Sequence, residues 1–187
     1  MIRIRRAMRA DATAIGRVHV ETWQSAYAGL LPDVMLARMS DVRHSAMWAH
    51  SLSNPHEARG IFVADDEAMG VVGFGSCGPV RDPPEDLDDK GRMGEVYLLY
   101  VEPDFQNQGL GRRLLDALFR QLRSDGFNTA VLWMLAENQT RFFYEGLGGR
   151  LVGQRTDTFS GVDVDEVAYA WEDLEAPLVR RRLAPDQ

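Results

Sequence analysis

The sequence predicts a mixed α/β domain, and three observations carry that reading. Short β-rich runs and amphipathic helical segments alternate along the chain in the order β, several α, ββ, β, α, β, α, ββ. Near the centre an apolar strand, a glycine-containing turn and an amphipathic helix follow one another directly. Neither an internal repeat nor a low-complexity tract interrupts this order. With 187 residues, 45 % apolar and 26 % charged, the chain suits one domain with a continuous core.

Each element has its own signal. Ile2 and Ile4 alternate with Arg3 and Arg5, as in a half-buried strand. Asp11 offers an N-cap to a helix with Ile15, Val18, Thr22 and Trp23 on one side. Leu31-Pro32-Asp33 restarts a helix with proline in its first turn, Asp41 caps another through Trp48, and Asn54-Pro55 breaks the pattern. Positions 60–64 and 71–76 read as a hairpin joined by Asp65-Asp66-Glu67. The following stretch, 79–92, holds Pro83-Pro84 with Asp82, Glu85, Asp86, Asp88 and Asp89, a composition that predicts a mobile, solvated loop. Positions 93–101 form a strand ended by Pro103, and 109–126 carry Leu110, Leu114, Leu115, Leu118, Phe119 and Leu122 at helical spacing. A strand at 129–135, a short helix at 139–147 ended by Gly148-Gly149, and strands at 151–154 and 164–171 complete the order. The domain is expected to span 1–173, leaving 174–187, with Arg180-Arg181-Arg182, as a flexible tail.

Several function classes are excluded at this level. No apolar run approaches the roughly 18 residues that cross a bilayer, and no apolar segment follows the charged start, so a cytoplasmic protein without membrane partners is expected. Cys77 has no second thiol to pair with and reads as a small buried residue; His19, His44, His50 and His56 show no metal-ligand spacing, so no metal is expected. A net charge of −7 argues against nucleic acid and is compatible with a cationic acceptor.

The most informative segment is Gln106-Asn107-Gln108-Gly109-Leu110-Gly111-Arg112-Arg113. Its glycines permit a tight turn in which main-chain N–H groups converge on an anion, and the helix that follows adds unsatisfied donors and partial positive charge. Arg112 and Arg113 oppose the macrodipole in that helix's first turn, at about 0.3 to 1 kcal/mol each, unless an anion is bound there. A P-loop would need Gly-Lys-Ser/Thr where Gly111-Arg112-Arg113 stand, and a dinucleotide fingerprint would need a small residue at Leu114; neither is met.

The turn resembles the Gln/Arg-x-x-Gly-x-Gly/Ala signature of the GNAT superfamily of acyl-CoA-dependent N-acyltransferases, through Gln106, Gly109 and Gly111. The run Glu95-Val96-Tyr97-Leu98-Leu99-Tyr100-Val101 before Pro103 is similar to the family's fourth strand, and Asn138 with Phe142-Phe143-Tyr144 to the loop and helix after its fifth. The resemblance spans about Ile2 to Trp171 and implies a largely antiparallel sheet flanked by helices, with splayed fourth and fifth strands. It further implies acetyl-CoA as cosubstrate. The pyrophosphate would lie on Gln106, Asn107, Gln108, Gly109, Leu110, Gly111 and Arg112, and pantetheine would pair with main-chain groups of Leu99, Tyr100 and Val101.

The acceptor would be a small-molecule or protein amine, and the chain a monomer or homodimer. A lysine-like amine has a pKa of about 10.4, so attack at pH 7 calls for a base or a desolvating site. Glu95, eleven positions before Gln106, occupies a place where some family members carry a catalytic glutamate, and strand alternation would set it on one face with Tyr97 and Leu99. Alternatively it binds substrate or forms a salt bridge. Tyr144 matches the family's proton donor to the leaving thiolate, or is a packing aromatic; Asn138 meets pantetheine or caps the following helix. Trp23, Tyr27 and Tyr97 are candidate acceptor contacts, with core packing the alternative for Trp23 and Tyr27. Direct attack in a ternary complex is the economical mechanism, and a non-catalytic acyl-CoA-binding module is the rival reading.

Overall fold

The computed structural model describes residues 1–85, 87, 92–159, 161–176 and 178. Seven strands form one sheet in the order β1-β2-β3-β4-β5-β7-β6. They are β1 (Ile2–Arg6), β2 (Ile61–Asp66), β3 (Gly70–Pro79), β4 (Met93–Val101), β5 (Thr129–Leu135), β6 (Arg150–Phe159) and β7 (Val162–Trp171). All neighbours run antiparallel except β4 and β5. The helices are α1 (Ala12–Ala26), α2 (Asp33–Ala37), α3 (Asp41–Ser51), α4 (Pro55–Ala58), α5 (Leu110–Ser124) and α6 (Arg141–Gly146).

Period-two alternation divides the strands between two layers. Val63, Val71 and Phe74 pack with Ile15, Val18 and Trp48 of α1 and α3. Their neighbours Ala64 and Val72 pack on the other face with Leu110 and Leu114 of α5, whose inner row continues through Leu115, Leu118 and Leu122. Phe74 and Ile15 are wholly buried, each worth about 1.5 to 3 kcal/mol of apolar transfer.

The β4–β5 pair creates the opening. Parallel pairing covers only Met93, Gly94 and Glu95 against Thr129, Ala130 and Val131. Beyond Glu95, β4 stays with β3 as far as Val101, while β5 follows β7 to Leu135. The two strands therefore splay as expected. A bulge in β4 leaves Tyr97 without a partner, since Cys77 pairs with Val96 and Ser76 with Leu98.

That bulge corrects the expected alternation. A side chain at Gly94 would meet Leu122 of α5, and Val96 packs with the same α5 cluster, so Glu95 points to the opposite layer. Past the extra residue the phase changes: Leu98 and Tyr100 join the α1–α3 layer and Leu99 the α5 layer. Glu95 thus shares a face with Leu98 and Tyr100, not with Leu99.

Other differences have local causes. The Asp11 carboxylate turns back to the Met8 N–H at 2.7 Å and to Arg5 instead of capping α1. Ser40, not Asp41, caps α3, and Asn54-Pro55 starts the one-turn α4 instead of only ending a helix. The hairpin of β6 and β7 extends well past the expected strands, because cross-strand pairs such as Thr156 with Asp165 and Thr158 with Asp163 hold a ribbon with little apolar signature. Leu174 and Leu178, beyond the expected limit at 173, are buried with the main core cluster. Arg180-Arg181-Arg182 lie outside the described residues.

The described part of the acidic loop is also anchored, contrary to expectation. Trp133 donates its Nε1–H to the Asp82 carbonyl at 2.8 Å, Arg155 pairs with the Asp82 carboxylate, and Val80 and Leu87 pack on the Met93–Val131 cluster. Asp86, Asp88 and Asp89 lie outside the described residues.

Candidate active site

The turn before α5 is built from local backbone conformation. Asn107 adopts φ 58° and Gly109 φ 78°, both left-handed, so the chain reverses tightly into the helix. The Gln106 side chain donates to the Val101 carbonyl at 3.0 Å, and Gln108 to the Asp104 carbonyl at 3.2 Å. These two bonds stiffen the turn and tie it to the end of β4. Among the described residues no acceptor takes the main-chain N–H groups of residues 107–112; the next, from Arg113, goes to the Gly109 carbonyl. Six donors at a helix N-terminus suit a polyvalent anion.

The two arginines of this helix start differ. Both are exposed, but Arg113 donates to the Ile2 carbonyl at 2.9 Å and so joins α5 to β1. Gly111 has a packing reason beyond the turn, since a Cβ there would lie 3.0 Å from the Phe143 ring.

Glu95 sits where the β4–β5 pairing ends, with a side chain only 4 % exposed. Arg81 engages both of its oxygens: its backbone N–H reaches Oε2 at 2.8 Å, and its guanidinium reaches Oε1 at 2.5 and 3.2 Å. The same guanidinium lies 4.0 Å from the centre of the Tyr97 ring, and the Tyr97 hydroxyl donates to the Pro79 carbonyl at 2.6 Å. Burial pushes the Tyr97 hydroxyl up to about 12, helped by the nearby Glu95 charge. Sequence reasoning missed Arg81, because its contacts join a polar loop to a strand fourteen positions away.

A polar chain crosses the mouth of the fork. Trp23 of α1 donates its Nε1–H to the Tyr100 hydroxyl at 2.9 Å. Tyr27, buried at the end of α1, is raised in pKa by burial, against hydrogen bonds to Tyr100 on β4 and Asn138 after β5. The Asn138 carbonyl accepts from the Thr140 N–H at 2.9 Å and from its hydroxyl at 2.6 Å, so this oxygen serves the entrance of α6. Tyr144 on α6 is 5 % exposed beside Trp171 and Phe143, and burial raises its hydroxyl pKa well above the ordinary value. It stays protonated at any pH near neutral. Leu99, Tyr100 and Val101 lie on the part of β4 that β5 leaves unpaired.

His19, also missed, stands behind Tyr100, its ring enclosed by Trp23, His44, Trp48 and Phe74. Its Nδ1 accepts from Trp48 Nε1 at 3.2 Å, and burial with the neighbouring His44 lowers its pKa to about 3. Cys77 is buried and its thiol is pushed up to about 12 by burial.

A groove of about 450 Å³ lies elsewhere, between β1 and α5, lined by Arg6, Phe62, Arg113, Asp116, Arg120 and Gln121. Its arginines are engaged within the protein: Arg6 with Gln121, Arg113 with the Ile2 carbonyl and Arg120 with Asp116. The chemistry-bearing residues gather instead at the fork. Among the described residues no three His, Cys, Asp or Glu side chains cluster as metal ligands, and no helix is long and apolar enough to cross a membrane.

Residues 19–148 match the family model described as Acetyltransferase (GNAT) family. The uncharacterized N-acetyltransferase YuaI of Bacillus subtilis (strain 168) is 31 % identical over 176 residues, 94 % of this chain and 96 % of that protein. An N-acetyltransferase from Staphylococcus aureus Mu50 shares the fold at TM-score 0.71 and 21 % identity, covering 93 % of this chain and 99 % of that one. The PaiA N-acetyltransferase of Thermoplasma acidophilum, solved in complex with coenzyme A, does so at TM-score 0.62 and 18 % identity, covering 89 % and 98 %.

Proposed function

The chain belongs to the acetyltransferase (GNAT) family, a GNAT-type N-acetyltransferase, and from that premise we propose that it moves an acetyl group from acetyl-CoA to a primary amine by direct attack in a ternary complex. One observation carries the reading: the fork between β4 and β5 opens beside a turn whose N–H groups are free for phosphate. The PaiA relative in fold, solved with coenzyme A, supports the same cosubstrate here.

Acetyl-CoA supplies an acyl group activated as a thioester. Residues 106–112 hold its pyrophosphate, and the free edge of β4 at Leu99, Tyr100 and Val101 takes the pantetheine arm as an added strand. Tyr144, kept protonated by its burial, donates a hydrogen bond and then a proton to the departing sulfur. Glu95, at the end of the fork, meets the incoming amine and accepts the proton it gives up as the C–N bond forms and the C–S bond breaks, and solvent returns a proton to Tyr144. Cys77, the only thiol of the chain, is kept protonated in the core, which favours direct transfer over an acyl-enzyme.

The test is turnover of acetyl-CoA with a panel of primary amines, read as free thiol released. Amine-dependent release is the expected result. Tight acetyl-CoA binding without release for any amine, peptide or protein acceptor would return the chain to the non-catalytic binding module.

A further inference from the structure

We propose that Glu95 and Tyr97 form a cation subsite for the acceptor, and that the Arg81 guanidinium fills this subsite until an acceptor ammonium takes its place. The inference rests on the acetyltransferase reading above and specifies which acceptors that site admits.

The geometry is that of a cation cage. A carboxylate closes one side, with its Oε1 at 2.5 Å from the guanidinium, and an aromatic face closes another, 4.0 Å from its centre. These partners would equally suit an alkylammonium, which is attracted to carboxylates by charge and to aromatic faces by the ring quadrupole. The cage lies at the last paired residue of β4, where the fork begins.

The two partners of the ion pair differ in burial, and this makes the pair exchangeable. Glu95 is 4 % exposed at its side chain, whereas Arg81 is 64 % exposed. A buried carboxylate deprived of its cation is strongly disfavoured, so a guanidinium that leaves must be replaced by another cation. An exposed arginine on a loop loses little by returning to water, because its charge is solvated and screened there. Exchange of one cation for another keeps the cage neutral; entry of a neutral ligand does not. Meanwhile the Arg81 N–H can stay on Oε2 at 2.8 Å while the side chain departs, so the loop need not come loose. The cage therefore selects acceptors that arrive positively charged.

A second arginine shows what a permanent version looks like. Arg155 also lies 4.0 Å from an aromatic centre, that of Trp133, but it is held by two acids, Glu166 and Asp82. Its side chain is 29 % exposed, and it fastens the loop to β7. Arg81 has one acid, more than twice the exposure and a position at the fork.

Three variants and two readouts test the proposal. Arg81→Lys keeps the charge with a looser fit, and Arg81→Gln removes the competitor. With n-butylamine as acceptor, KM should fall in the order Arg81, Lys, Gln, by about 10-fold in total, with acetyl-CoA affinity unchanged. Ethylguanidinium, which needs no turnover, should bind Arg81→Gln measurably tighter than the parent in calorimetry. Tyr97→Leu added to Arg81→Gln should reverse most of that gain. A KM that rises in the lysine variant, or ethylguanidinium binding unchanged in a glutamine variant that still binds acetyl-CoA, overturns the subsite while leaving the transferase reading intact. Loss of acetyl-CoA-dependent thiol release from the parent chain with every amine would instead strike the transferase reading itself.

Discussion

At the start of α5 the N–H groups of residues 107–112 stand without acceptors among the described residues, while on the α1 side of the fork three polar pairs are closed: Glu95 with Arg81, Trp23 with Tyr100, Trp48 with His19. The first region is a run of main-chain donors at a helix start. The second is a set of side chains brought from α1, α3, β4 and the 79–92 loop, each satisfied inside the protein. An open donor array binds by adding contacts, and a closed network binds by exchanging them. Affinity for the cosubstrate should thus respond to salt and to the turn, whereas stability and acceptor choice should respond to changes on the closed side.

The largest expected effect is on stability in acid and belongs to the closed side. His19 titrates at about 3 in the folded chain, from an ordinary value of 6.5, because it is buried next to His44. The unfolded chain accepts a proton below pH 6.5 that the folded chain refuses, so the stability present above that pH is lost as pH falls toward 3. The slope approaches about 1.4 kcal/mol per pH unit for this one group. His19→Gln, which retains an acceptor for Trp48, should flatten the slope in urea unfolding between pH 6 and 4. An unaltered slope would assign acid sensitivity to other groups and break the contrast between the two sides.

This division also explains what could be read in the sequence. The turn at 106–111 was legible because its shape is a property of consecutive residues: glycines, a helix start and the strand before it. The order of elements along the chain was legible from alternation and helical spacing, and the resemblance supplied the splay. Arg81 was hidden because the acids and prolines around it dominate the composition of the loop, which gives no sign of the anchoring contacts of Asp82 to Trp133 and Arg155. The bulge at Tyr97 could not be inferred from β4 alone, since it is defined by pairing with Cys77 and Ser76. Leu174 and Leu178 were set aside with the charged tail, although their spacing of four suits a shared buried face.

Next in size is Tyr144→Phe. The ring is buried against Phe143 and Trp171, so loss of the hydroxyl should leave packing and acetyl-CoA affinity nearly unchanged. If the hydroxyl protonates the leaving sulfur, kcat should fall by about 100-fold, within the range of general-acid contributions. Single-turnover thiol release measures this directly. Equal turnover in the variant would remove Tyr144 from the chemistry and leave it a packing residue.

The smallest effect separates two adjacent arginines on the open side. Arg112 and Arg113 are both exposed, but Arg113 gives a hydrogen bond to the Ile2 carbonyl and joins α5 to β1. Arg112→Ala should raise the Kd for acetyl-CoA by about 3- to 5-fold at low ionic strength, as expected for one exposed charge near a phosphate. At 0.5 M salt the difference should nearly vanish, because the Debye length is then only about 4 Å. Arg113→Ala should instead lower the unfolding midpoint while changing the Kd less, since its guanidinium is already engaged by main chain. If both substitutions weakened acetyl-CoA equally and with the same salt dependence, α5 would present a diffuse positive end in place of a defined turn. If neither did, the free N–H groups of residues 107–112 would carry the phosphate contact alone, which would make the open side more strictly a backbone site than its arginines suggest.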